Sequence, residues 1–560
     1  MKKTFLVALL VLVVVCLDTL PVLAQGNFVE QFLNRYRPVT VNLPAASPQT
    51  AAQVLAARIQ NGLLPLTVGD VVQLMLENNL DISVNRLNPL SAQYLIDTLY
   101  RPFEPTLRLQ ATINRNTSPA TSQLTGATSF SLLSGSYTVG YFQTLPTGTD
   151  VGVDFILNRT SSNSAFNTFN PSWVGNIRYS FSQHLLKDYG RSVNERQIRV
   201  AQNNEKISQT QFEMQLIELV TAAQRSYWDL VFAGEDVKVK QRSMDLARKT
   251  LSDNQIQVQI GTLAPIDLVQ AESELANRKE QMVVATYTQA QNGDQIKKFI
   301  TSQPDPGLVL ATLNPRQPVR QPGPMDVPSV AEAIKIALEN RPEMRQLQLN
   351  IENRNLDLEY TKNQLLPSVD LVGTYTQNGV GGTETLRNGF GPTAPIVSVV
   401  RGGLGDTFGQ LFGYNYTGYS AGVSVLIPLR NKGAKGDNAR ATTEKRIAEN
   451  RLTAQAQQIA LEVRNALTQV DMNKARIETA QTARELSERR LEAEQKKFDL
   501  GASTIRFVLE EQRNVAQAQT NEIQALVNYT KALVDADRAM GMTLKKNNIE
   551  VEKTLTIASR

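Results

Sequence analysis

The side chains able to do chemistry in this 560-residue chain are few, and they do not converge on a reaction. There is one histidine, His184, at the end of the strand-like run Phe181-Ser182-Gln183-His184, and one cysteine, Cys16. A lone histidine with no His, Cys or carboxylate at ligand spacing reads as a packed or interfacial residue, not a catalytic one or a metal ligand. The carboxylate pairs Glu272/Glu274 and Glu510/Glu511 fall in helical patterns and read as solvated faces. Gly381-Gly382 and Gly402-Gly403-Leu404-Gly405 lack the strand-to-helix setting and the following Lys-Ser/Thr of a phosphate loop, so the segment Gly379 to Gly413 reads as structural. No nucleotide, metal or nucleophile constellation is visible, which argues against an enzyme and implies no cofactor. What remains is electrostatic. Asp267 and Glu510 each follow a sharp break between two long helical patterns, and Arg506 and Phe507 lie beside the second. Carboxylates at such tips, brought around an axis by several copies, form a ring that selects or binds cations. Asp267 is equally placed to favour a helix N-terminus, where an acid meets the positive end of the macrodipole, and both roles stay open.

The elements that must hold these residues are two helical hairpins. The first breaks at Ile260-Gly261-Thr262-Leu263-Ala264-Pro265, the second at Leu500-Gly501-Ala502-Ser503. Arg191 to Ile260 as one helix is about 105 Å long, and Ala434 to Leu500 about 100 Å, at a rise of about 1.5 Å per residue. Ile459, Val463, Ala466, Val470, Ile477 and Ala480 follow the alternating spacing of a coiled-coil seam. Leu216, Val220, Ala223, Tyr227 and Val231 do the same in the first hairpin. The other faces are Gln, Asn, Glu and Lys, and with 41% hydrophobic but only 6% aromatic residues the composition suits the wall of a tube or bundle better than a thick core.

The chain is duplicated. Asp70 to Asn79 has a counterpart at Glu332 to Arg341, and the offset 339 − 77 = 262 also places Pro105-Thr106-Leu107-Arg108-Leu109 on Pro367-Ser368-Val369-Asp370-Leu371. Strand-like alternation follows each helix: Leu107, Leu109, Ala111 and Ile113 in one half; Val369, Leu371, Gly373 and Tyr375 in the other. Returning strands run through Trp173 to Phe181 and Tyr419 to Ile427. Each run has the length of an outer-membrane strand, and Trp173, Tyr375, Tyr416 and Tyr419 suit an interfacial girdle, although a soluble sandwich also alternates. Residues 136–143 and 151–157 read as an additional hairpin in the first half only.

The N-terminus predicts a secretory signal, residues 1–24: Lys2 and Lys3, an apolar run Phe5 to Leu17, and Val22-Leu23-Ala24 before Gln25. Cys16 would leave with it. Its apolar run is shorter than the roughly 20 residues a spanning helix needs. Residues 25–65 predict an arm or linker, 66–300 the first repeat, 301–328 a Pro-rich linker, 329–541 the second repeat and 542–560 a tail. A net charge of +5 without a basic cluster gives no reason to expect nucleic acid.

With the duplicated helix starts at 68–81 and 330–343, Leu365-Leu366-Pro367-Ser368, Val425-Leu426-Ile427-Pro428-Leu429 and both turns, the chain resembles the outer-membrane efflux proteins of the TolC type over about residues 66–541. The resemblance implies an α+β membrane protein: a tandem-duplicated strand pair plus long helical hairpin, three copies sharing a β-barrel in the outer membrane that continues as an α-helical barrel through the periplasm. It implies a homotrimer, a passive duct in a tripartite efflux or type I secretion system, docking with a periplasmic adaptor (membrane fusion protein) and an inner-membrane pump or ABC exporter. The adaptor would grip Ile260, Gly261, Thr262, Leu263, Leu500, Gly501, Ala502 and Ser503. Positions matching the family's acidic constriction are Phe507 and Glu510, so one acid is kept. Its basic partner corresponds to Ser503, with Arg506 near enough to substitute. Pro265 sets the first tip apart from the pattern. Twelve strands from four-strand protomers would close the barrel, with the additional hairpin either enlarging it or sitting at its rim. The alternative is a periplasmic coiled-coil adaptor or structural protein of an envelope-spanning complex, which typically has one hairpin and lacks the strand pairs.

Overall fold

The computed structural model describes residues 34–38, 59, 62–121, 128–164, 167–261, 263–302, 306–323, 326–389 and 394–551. The expected signal peptide, most of the N-terminal arm and Thr262 lie outside these. The chain divides into a unit of Met1–Ser47 with Val551–Arg560 and a unit of Pro48–Glu550. Of the first only residues 34–38 and 551 are described; both repeats belong to the second.

Each repeat opens on a capped helix pair. In the first, α1 (Val68–Asn78) starts with a capping box, in which the Thr67 hydroxyl accepts from Asp70 N–H and the Asp70 carboxylate accepts from Thr67 N–H. Asn79 ends α1 and caps α2 (Leu80–Leu99) by accepting from Ile82 N–H. In the second repeat the same pair is α7 (Val330–Asn340), capped by Ser329, and α8 (Pro342–Asn363), whose Pro342 occupies the first turn, where no intrahelical N–H bond is lost. Starts at 68 and 330, 80 and 342, and strands at 106 and 368 all differ by 262. At the hairpin tips the offset has become 499 − 259 = 240, so the first repeat carries 262 − 240 = 22 more residues between its strand start and its tip.

Those residues are in the sheet. Strands β2 (Thr106–Pro119), β3 (Ser129–Leu145), β4 (Thr149–Ser162) and β5 (Phe169–His184) form an antiparallel meander. β5 then pairs with β7 (Ser368–Arg387), whose other edge takes β9 (Tyr416–Leu426) along its first part and the short β8 (Ile396–Val400) at its far end. The expected strand pair in the first repeat is therefore corrected. β2 and β5 do not touch, because the additional hairpin is longer than its apolar runs suggested and stands between them, bonded to both.

The register sorts the side chains by face. One row runs Leu109, Val139, Phe155, Ile177, Gln377 and Thr417; the next runs Leu107, Tyr141, Val153, Tyr179, Tyr375 and Tyr419. The opposite face has Arg108, Gly140, Asp154, Arg178, Thr376 and Gly418 in register, with Arg108 and Asp154 paired at 3.4 Å. One face is thus apolar with a tyrosine belt, the Tyr179 and Tyr375 rings 6.1 Å apart, and the other is polar. Trp173 lies on the apolar face with Arg159 over its ring. Tyr416 does not join that belt as expected, since its pairing with Asn378 places it on the polar face.

The Gly-rich segment is structural, as expected. It carries α9 (Leu404–Phe412), which seats on the apolar face: Phe408 stacks on Phe155, and the Thr407 hydroxyl donates to the Trp173 carbonyl. Gly175 and Gly379 permit this approach, since a Cβ at the first would come 2.7 Å from Leu411 and at the second 2.5 Å from the Thr407 carbonyl oxygen.

Two hairpins leave the sheet. A short α3 (Arg191–Asn194) ends at Glu195, so the first long helix begins five residues later than its polar pattern suggests: α4 is Arg196–Gln259, followed by α5 (Pro265–Ile300). Next come α10 (Lys432–Asp499), α11 (Ile505–Ala539) and the terminal turn α12 (Thr543–Lys546). The 64 and 68 residues of α4 and α10 give lengths of about 96 and 102 Å. Both sequence-derived seams are buried or partly buried, with Ile459, Val463, Val220 and Ala223 wholly inaccessible. Among the described residues no helix is long and apolar enough to cross a membrane.

Midway along the hairpins the inter-repeat segment is built in. It carries α6 (Pro306–Leu310) and β6 (Thr312–Pro315), and β6 pairs in parallel with β1 (Leu63–Leu66). A buried tyrosine from each hairpin holds it. The Tyr227 hydroxyl donates to Leu66 O at 3.2 Å and accepts from Gln317 N–H at 3.1 Å, while the Tyr529 hydroxyl donates to the Asp326 carboxylate, which Arg320 also holds. Burial together with the Asp326 bond pushes the Tyr529 hydroxyl up to about 12, and that bond holds Asp326 below the usual carboxylate range.

Candidate functional site at the helical tips

Both tips use one backbone device. Ile260 caps the C-terminus of α4 and Leu500 that of α10, and the next residues, Gly261 and Gly501, have φ of +78° and +76°. Glycine enters this left-handed region without a Cβ penalty. Gly501 N–H bonds Phe498 O and Ala502 N–H bonds Lys497 O, the paired bonds of a Schellman end; Gly261 N–H bonds Val258 O in the same way. Leu500 and Ile260 are 84% and 68% exposed. Two large aliphatic side chains therefore stand in solvent at the very end of the hairpins, where only the backbone turn holds them.

The return helices then separate two faces. In α11, Ile505, Val508 and Leu509 are buried against Leu491 and Phe498, while Arg506, Phe507 and Glu510 face outward together. The spacings of three and four put Phe507 and Arg506 beside Glu510 on the helix surface. Neither the Arg506 nor the Glu510 side chain bonds any described residue. Ser503, the counterpart of the family's basic partner, donates its hydroxyl to Glu494. This bond, with that from Lys497, draws the Glu494 carboxyl below its ordinary value.

Asp267 lies on the other hairpin, in the first turn of α5. Ala264 is the cap and Pro265 the first helical residue, so Asp267 is not itself a cap; it is an acid near the positive helix end. Pro265 holds the position that Ile505 holds in the second tip, five residues after the helix cap in each, so it inserts nothing into the turn. With the offset of 240, Asp267 corresponds to Phe507, and no bond joins it to Arg506 or Glu510 among the described residues.

Sequence reasoning missed what holds the hairpins side by side. Glu274, read as a solvated acid, is buried: its carboxylate binds Arg278 at 2.5 Å and Arg513 of α11 at 3.3 Å. Beside Arg513, Gln512 bonds Thr250, and farther from the tips Thr520 bonds Asp236 and Lys531 pairs with Asp229 at 2.6 Å. The only signal available was the i, i+4 spacing of Glu274 and Arg278, which describes many exposed pairs as well. His184 also has a partner that spacing could not reveal. Its Nδ1 is 2.6 Å from Asp370, one repeat away, on the polar face where β5 meets β7.

Among the described residues no group of His, Cys, Asp and Glu has the arrangement to hold a metal. An open cavity lies at the junction of sheet and helices, lined by Arg196, Tyr360, Asn431 and Arg440, and Arg196 is already committed to Asp357 and to the Tyr360 ring.

Comparison with known proteins agrees with the geometry. Residues 333–542 match the family model described as Outer membrane efflux protein, so the second repeat carries that domain, as the resemblance led one to expect. The first repeat, with its two added strands, lies outside the matched residues. No curated protein sequence matches the chain. Among solved structures, the CmeC outer membrane channel of Campylobacter jejuni is 17% identical with a TM-score of 0.59, the match covering 88% of this chain and 89% of that one. VceC of Vibrio cholerae is 12% identical, TM-score 0.58, covering 85% and 96%. The Neisseria gonorrhoeae MtrE outer membrane channel is 16% identical, TM-score 0.56, covering 85% and 89%. The chain has the fold of these channels over most of its length.

Proposed function

We propose, from an outer membrane efflux protein domain in its second repeat and a channel fold over most of its length, that the chain is the outer-membrane duct of a tripartite efflux or type I secretion system. The observation that carries this reading is the join of an apolar-faced, polar-backed sheet to two hairpins of about 100 Å. A sheet with one lipid-compatible face spans the outer membrane, and the hairpins reach through the periplasm. Three copies form the tube. The duct is passive: solutes move along polar surfaces, and a partner inner-membrane pump or ABC exporter supplies energy.

The tips Ile260, Gly261, Leu263, Leu500, Gly501, Ala502 and Ser503 are the surface for a periplasmic adaptor, together with Thr262, which lies outside the described residues. Arg506, Phe507 and Glu510, sharing one face, with Arg506 and Glu510 unpaired among the described residues, line the periplasmic mouth, with Asp267 on the neighbouring hairpin. Membrane fractionation separates this from the adaptor alternative. A duct stays with the outer membrane as a heat-modifiable oligomer; recovery in the soluble periplasmic fraction would remove the reading.

A further inference from the structure

The additional hairpin of the first repeat changes the barrel itself. We propose that each copy gives six through-strands to the wall, β2 of one copy pairing with β9 of the next, so that six strands from each of three copies make a ring of eighteen. This rests on the trimeric reading above.

Three observations carry it. First, β3 and β4 are bonded along their length into the middle of the sheet, with fourteen register pairs between β2 and β3 and fourteen between β3 and β4, so they are wall and not rim. Second, six alternating strands leave β9 antiparallel to β2, the orientation in which the edge of one copy can extend the edge of another. Both edges are bare. Leu109 is 69% and Tyr419 88% exposed, and β9, Tyr-Thr-Gly-Tyr-Ser-Ala-Gly-Val-Ser-Val-Leu, carries no charge and no proline, the usual protections of an edge that is to stay unpaired. The tyrosine row runs from Leu107 on one edge to Tyr419 on the other, and the row beside it from Leu109 to Thr417, so pairing continues the apolar face around the ring. Third, α9 lies on the apolar face against Phe155 and Trp173, which keeps the Gly-rich segment outside the bore.

The consequence is width. At a strand spacing of about 4.8 Å and a tilt of about 40°, eighteen strands close at a diameter of about 36 Å, against about 24 Å for twelve. Rings of this size leave an aqueous channel, so the membrane section does not limit solute size and selection falls to the helical mouth.

The test is electron cryomicroscopy of the full chain purified in detergent, counting copies and strands per copy. It is paired with disulfide trapping between cysteines placed at Leu107, Leu109 or Ala111 on β2 and at Ala421, Val423 or Val425 on β9. Six strands in each of three copies, and covalent dimers and trimers from β2/β9 pairs, are expected. Three copies with four wall strands each, the β3–β4 hairpin lying outside the wall, would overturn the eighteen-strand ring and leave the duct standing. Any assembly that does not close a ring would overturn both.

Discussion

Arg513 and Glu274 tie the two hairpins together about two turns above the tips, Nη2 to Oε2 at 3.3 Å, while the other carboxylate oxygen of Glu274 holds Arg278 at 2.5 Å. Glu274 and Arg278 are buried and Arg513 is largely exposed, so one carboxylate serves an internal pair and an inter-hairpin bridge at once.

That asymmetry separates two substitutions. Glu274→Gln leaves the Arg278 charge buried without its partner, and breaking such a pair costs about 3–5 kcal/mol. Arg513→Gln removes only the solvent-screened bridge, worth about 0–1 kcal/mol. Limited proteolysis at the tips is expected to accelerate strongly for the first and little for the second. Equal rates would show that the bridge, not the buried pair, sets tip order.

The seat of α9 is equally specific. Gly379→Ala puts a Cβ 2.5 Å from the Thr407 carbonyl oxygen, a backbone atom that cannot swing aside, whereas Gly405→Ala meets nothing within 4 Å. Protease sensitivity between residues 401 and 413 is expected to rise for the former alone. Both variants should still assemble, because the ladder between β5 and β7 does not depend on α9.

Acid should loosen the tie between the inter-repeat segment and the second hairpin. Asp326 is held below its ordinary value first by the Tyr529 hydroxyl, with Gly323 N–H and Arg320 assisting. A depressed carboxyl contributes stability that is present above the unfolded-state value of about 4 and is lost as pH falls through the lower folded value. Thermal unfolding followed from pH 7 down to pH 2 should show this acid limb, and Tyr529→Phe or Asp326→Asn should flatten it. An unchanged limb in both would remove Asp326 from the acid response.

Much of this was legible in the residues. The 262 offset located the opening helix and the first strand of each repeat, because a duplication keeps residue types at one constant spacing, whereas the second helix of each pair and the caps at Thr67 and Ser329 were not read from it. The seams through Val220 and Ile459 were readable since a long two-helix contact repeats one spacing many times. What escaped depends on register. Whether residues 136–157 join the wall turns on which backbone groups pair across the sheet, and alternation is the same for an inserted or a peripheral hairpin. The side of Tyr416 and the burial of Glu274 follow from the same kind of non-local contact. At the tips, Gly261 and Gly501 announced the turns, whereas the outward grouping of Arg506, Phe507 and Glu510 became visible only once Ile505, Val508 and Leu509 were seen to face inward.

The mouth has its own signature. Glu510 is exposed and unpaired among the described residues, so a ring of three would attract cations into the entrance. Glu510→Gln is expected to lower cation over anion preference and to weaken block by divalent ions in single-channel recordings. Identical reversal potentials and identical block would take Glu510 out of the gate.

The duct itself is tested most directly by adding the purified oligomer to a planar lipid bilayer under applied voltage. Stepwise, ohmic ion-conducting insertions are the result a passive outer-membrane duct predicts. A bilayer that stays sealed, with the oligomer verified as inserted, would contradict it.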